Sequence, residues 1–199
     1  PVQTIPVMPC YGRPDAADTF IKISMDAKDG RLSPEKAKAY GMTPRNDILR
    51  FMPPDHSIQC QCPSCAPILD DSVPFHGQAR KIFGKFVRET AENLKKSSPE
   101  MTFFFSPYYN YVMPDETLFL PDNTKALICL MYGQSVYHDP AIRRYTAEWI
   151  RDWKKITGKT VQVYVYPNWP GISYSPFPRQ YYHNLKQFGG QVGFSHSFA

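Results

Sequence analysis

From Asn46 onward, short apolar runs of β type alternate with segments whose apolar residues recur every three or four positions. That alternation predicts consecutive β/α units around a parallel sheet. The run Ile48 to Met52 ends in Pro53-Pro54 and predicts a strand opening into a loop. After Val73, Ile82, Phe83, Phe86, Val87, Ala91 and Leu94 share one face of a helix, which Ser97, Ser98 and Pro99 bring to an end. Met101 to Phe105 and Leu127 to Met131 predict two more strands, each so apolar that both faces are expected to be covered. Between them lies an aromatic, proline-containing loop rather than a helix. Asp139-Pro140 then supplies a cap and a first-turn proline to a helix with the stripe Ile142, Tyr145, Trp149, Ile150, Trp153 and Ile156, stopped at Gly158. Val161 to Tyr166 predicts a fourth strand, Tyr181, Leu185 and Phe188 a short helix, and Gln191 to Ser195 a last strand.

This tally of elements is too small for an eight-stranded barrel and suits its second half. The fold class expected is α/β: a parallel (β/α) barrel, either the C-terminal part of a TIM-type barrel or an incomplete one. Residues 46–199 form the barrel portion, and residues 1–45 an irregular N-terminal segment. That segment has one strand candidate, Phe20 to Met25, and a short helix opening at Ser33-Pro34 and closing at Gly41. The first residue is Pro rather than Met, which fits a processed or excised piece.

Composition narrows the function classes. The net charge of +5 is spread along the chain with no basic stripe, so nucleic acid is not an expected partner. No apolar stretch approaches the roughly 20 residues that cross a bilayer, so no membrane association is expected either. The 20 Pro, 13 Tyr and 13 Phe point to ordered loops that carry aromatic side chains.

In parallel β/α architectures ligands sit beyond the carboxyl ends of the strands. The residues there are Asp55 and His56 after the first strand, Tyr108 and Tyr109 after the second, and Tyr132 after the third. Tyr166 and Trp169 follow the fourth, and His196 the last. Aromatic planes among a few polar side chains suit a sugar, whose C–H faces stack on rings while its hydroxyls need directional partners. Carbohydrate is therefore the expected partner, with these residues binding it and Asp55 the candidate catalytic carboxylate. Asp26, Asp29, Asp115 and Glu116 are the other loop carboxylates, and Asp115-Glu116 reads as the start of a turn. No pair of carboxylates of the kind a glycosidase uses stands out.

Five cysteines, three of them packed as Cys60, Cys62 and Cys65, do not form the even framework of a disulfide-stapled domain. The C-x-C-x-x-C cluster offers three thiolates to a structural zinc, with His56 and His76 the nearest histidines for a fourth position. Free thiols or a local disulfide are the alternatives, and no cofactor other than this zinc is expected.

The stretch from Ile48 through Asp55 to Cys65, the helix with Phe86-Val87-Arg88-Glu89-Thr90-Ala91, the aromatic strand into Tyr108 to Pro114 and the Pro121-Asp122-Asn123 turn resemble a known family. It is the bacterial "domain of unknown function 4838" family, part of which is classed as glycoside hydrolase family 163. The resemblance implies a barrel and a glycoside hydrolase acting on glycans or polysaccharide that contain amino sugars. It carries over only Asp55 and the three clustered cysteines by position. The family's usual Asp-Gly is replaced here by Asp55-His56, and Ser195-His196-Ser197 stands where an acidic residue is expected. A non-catalytic carbohydrate-binding domain with the same aromatic cleft is the alternative, and a structural domain held by a cysteine-bound metal is a third reading.

Overall fold

The computed structural model describes residues 10–39, 47–53, 55–130 and 139–165. Within them the chain is α/β, with four strands in one sheet and helices packed on it. The strands are β1 Ile48–Phe51, β2 Thr102–Phe105, β3 Thr124–Leu130 and β4 Gln162–Val165. All neighbouring pairs are parallel and the spatial order β1-β2-β3-β4 follows the chain. The helices are α1 Ala16–Lys28, α2 Pro34–Ala39, α3 Arg80–Ser97 and α4 Pro140–Thr157.

Four predicted strands, the helix before β2 and the capped helix before β4 are found in the expected order, although β3 starts at Thr124, three residues before the expected Leu127, and Met131 lies outside the described residues. Asp139 caps α4 by accepting from the amide of Ala141 at 2.8 Å, and Gly158 ends it in the left-handed conformation at φ 64°. Between β2 and β3 the described chain has only a single 3₁₀ turn, Tyr109–Tyr111, in place of a helix.

One expectation is overturned. Phe20 to Met25 is not a strand but lies within α1. Ala17, Phe20, Ile21, Ser24 and Lys28 recur at helical spacing, and Lys22 pairs with Asp26 one turn later at 2.9 Å. The six-residue window is apolar enough to read as β, but its buried residues obey a 3.6-residue period over the longer stretch.

Leu49, Phe51, Phe103 and Phe105 are buried on the helical side of the sheet. Phe51 meets Phe86 of α3 at 4.8 Å between ring centroids, and Phe105 meets Trp153 of α4 at 5.5 Å. Phe20 brings α1 to the same face, 5.2 Å from Phe51. The alternate residues Ile48, Arg50, Thr102 and Phe104 are only half-buried, so β1 and β2 are not sealed on both faces. Among the described residues α1, α3 and α4 all pack on one side, while on the other Leu127 and Cys129 of β3 are buried.

Candidate metal centre

The loop between β1 and α3 is built around two anchors. Ile58 is buried, and its amide and carbonyl are both held by the side chain of Asn110, each at 2.9 Å. Asn110 belongs to the turn after β2, so this two-bond clasp ties together the loops that leave β1 and β2. Two residues after Ile58 begins the sequence Cys60-Gln61-Cys62-Pro63-Ser64-Cys65. The chain turns at Cys62, whose carbonyl accepts from the amides of Cys65 and Ala66 at 3.0 and 2.9 Å. That turn aims Cys62 and Cys65 at a common point.

The fourth group comes from far away in sequence. Tyr11 is buried edge-on against Phe51 at the end of β1 and against Phe86 of α3, with centroids 5.3 and 5.0 Å apart. This seats Cys10 over the loop. The Cys10 sulfur lies 3.4 Å from that of Cys62, 3.5 Å from Cys65 and 3.6 Å from Cys60. All four sulfurs fall within 4.8 Å of one another. A tetrahedral ion with bonds of about 2.3 Å to sulfur would set them about 3.8 Å apart. The four cysteines can therefore hold a metal ion, and the spacing is that of a single ion rather than of a cluster with thiolates on several metals. None of the five cysteines is in a disulfide, and Cys129 lies apart, buried on β3.

Electrostatics favour an ionised sulfur here. The hydrogen bond from Cys10 foremost, then those from Cys60 and from the Cys65 and Ser64 amides, lowers Cys62 to about 6 against the cost of burial. Burial pushes Cys65 and Cys10 the other way, and in Cys10 the Gly12 amide opposes it. Four crowded thiols cannot all ionise without a cation, and a bound metal supplies one. Three of the four are half-exposed and Cys65 is buried, which places the centre at the surface with one wall in the core.

The three clustered cysteines are legible as candidate ligands; the fourth member of the group is not. It is neither His56, which is exposed, nor His76, whose ring packs at a tilt against Trp149 with centroids 5.2 Å apart. Cys10 stands 50 residues before Cys60 in a segment without strong periodicity, and only the count of cysteines hinted at it.

The other predicted residues are distributed unevenly. Asp55 and His56 are exposed beyond β1. Asp26 and Asp29 are ion-paired with Arg31, and Asp115 folds its carboxylate onto Thr117 in a turn, whereas Asp55 pairs with no described cation. Tyr108 is buried, 4% exposed, and so lines the core rather than an open rim. Tyr109 is half-buried against it, with centroids 4.3 Å apart, and has φ 44°. Left-handed backbone is costly for a bulky aromatic, and such strain gathers at functional loops. Tyr132, Tyr166, Trp169 and His196 lie outside the described residues, as do the predicted last strand and its preceding helix.

Compared with known protein families, with curated proteins and with solved structures, the chain matches none of them.

Proposed function

We propose that this chain is a zinc-stapled portion of a parallel β/α barrel that handles carbohydrate at the carboxyl ends of its strands. The observation that carries the proposal is the convergence of four thiols from two distant segments to within 4.8 Å of one another. Such a site is closed to substrate, so its role is structural: it fastens the segment before α1 to the loop that presents Asp55. An all-parallel sheet whose order follows the chain supports a barrel arc, since doubly wound sheets reverse their order partway.

Zinc is tested by metal analysis of the purified chain, with about one equivalent expected and no visible colour. Cobalt substitution should give the absorption of a tetrahedral tetrathiolate, and Cys10→Ser should lose it. A chain that is metal-free and unchanged in stability by added zinc would refute the centre.

Carbohydrate handling is supported by Asp55, exposed at a strand end and without a described cationic partner, and by the strained Tyr109 on the neighbouring loop. The resemblance of the Asp55 and cysteine element to a glycoside hydrolase family points the same way, toward glycans or polysaccharide containing amino sugars. A glycan array and a hydrolysis screen separate the readings. Cleavage lost in Asp55→Asn supports a glycoside hydrolase, binding without cleavage supports a carbohydrate-binding domain, and silence in both refutes the carbohydrate reading.

A further inference from the structure

The sheet face turned away from α1, α3 and α4 carries an unneutralised pair of cations. Parallel register places Arg50 of β1 beside Phe104 of β2, and Phe104 beside Lys125 of β3. Side chains at these matched positions share one face, and strands about 4.8 Å apart put the two cations roughly 10 Å from each other across the phenyl ring. The described residues on this face are Ile48, Arg50, Thr102, Phe104, Lys125, Leu127, Cys129, Gln162 and Tyr164, with no carboxylate among them.

Arg50 is half-buried, its guanidinium 5.8 Å from the centre of the Phe104 ring. Its Nε–H is shut off from water and has no acceptor. It forms no ion pair with any described residue. The rest of the chain cannot supply one from a side chain, because all 18 Asp and Glu lie among the described residues. A half-buried guanidinium without an anion is costly, and with its Nε–H shut off from water the groups left to meet a carboxylate are its two terminal nitrogens, which form a fork that matches one. Lys125, exposed two strands away, adds a second positive charge to the same row.

We propose that the row Arg50–Phe104–Lys125 is an anion subsite that takes the carboxylate of an acidic saccharide. The inference rests on the carbohydrate reading and narrows it: the ligand carries a uronic-acid type of sugar, whose carboxylate meets Arg50 while Lys125 adds longer-range attraction. A sugar is favoured over an acidic peptide because Phe104 sets an aromatic ring between the two cations, and pyranose C–H faces stack on rings.

The test is calorimetric titration of the full chain with an oligogalacturonate and with the neutral oligogalactoside of equal length, at low and moderate salt. The acidic ligand is expected to bind at least about tenfold more tightly, with the preference shrinking as salt rises. Arg50→Gln should erase the preference and Arg50→Lys should keep part of it, with far-ultraviolet circular dichroism showing that both variants fold. Equal binding of the two ligands would overturn the anion subsite and leave the carbohydrate reading standing. Binding of neither sinks both, and an acidic preference that survives Arg50→Gln removes Arg50 from the site. Binding of a polyglutamate peptide with no binding of either saccharide would also overturn the proposal, in favour of an acidic polypeptide partner.

Discussion

Gly12 lies so close to Cys65 that a β-carbon at position 12 would overlap the Cys65 sulfur. The same residue directs its amide to the Cys10 sulfur, so it touches two of the four thiols at once. Its absent side chain is what lets the segment before α1 approach the loop after β1. Gly12→Ala should push the Cys65 sulfur away from the other three and, on the zinc proposal, weaken zinc binding 10- to 100-fold, the usual range for groups that orient metal ligands. Competition with a chromophoric chelator measures it. Unchanged affinity would mean that the cluster yields easily and that Gly12 has no such role.

Asn110 holds both polar groups of the Ile58 backbone inside the protein. Asn110→Ala leaves that amide and carbonyl buried without partners, which costs about 2–4 kcal/mol. Urea unfolding should show this loss. Because Cys60 is two residues away, the variant should also bind zinc more weakly, and a variant as stable as the parent would show that the clasp adds nothing.

Trp153 is fully buried, and its indole nitrogen donates to the carbonyl of Val112 at 2.7 Å. This bond joins α4 to the loop after β2, beneath Phe83 and Phe105. Trp153→Phe keeps an aromatic ring but loses the donor and some volume, for an expected destabilisation of about 2–3 kcal/mol. Thermal or urea unfolding checks the figure, and a loss below about 1 kcal/mol would mean that the loop finds another donor.

Burial between Trp149 and the loop after β2 holds His76 below its ordinary value near 6.5, against the smaller opposing effect of the Tyr109 carbonyl. The unfolded chain therefore takes up this proton first as pH falls. Stability from a neutral His76 is present above about pH 6.5 and is lost as pH drops toward the folded value. Unfolding free energies at pH 7.5 and pH 5.5 should differ more for the parent than for His76→Phe. Thiolate protonation is common to both chains and cancels in that comparison, so equal slopes would exclude His76 as the source.

Much of the architecture was legible in local pattern. The apolar faces of α3 and α4, the Asp139 cap, the Gly158 stop and the four parallel strands follow from periodicity and from residues that act within a few positions of themselves. Phe20 to Met25 was misread because a short apolar window carries too few residues to tell a two-residue period from a 3.6-residue one. The candidate functional residues act at longer range. Asp55, Cys60, Cys62 and Cys65 announced themselves by type and spacing, but Cys10 joins the thiol cluster only because Tyr11 packs on Phe51 and Phe86. Tyr108 looked the same as Tyr109 in sequence, and only the turn after β2 decided which of them entered the core. Arg50 read as one residue of an apolar run. Strand register placed it in a row with Phe104 and Lys125, on a face whose described residues include no acid, because pairing between strands depends on contacts that no local stretch of sequence contains.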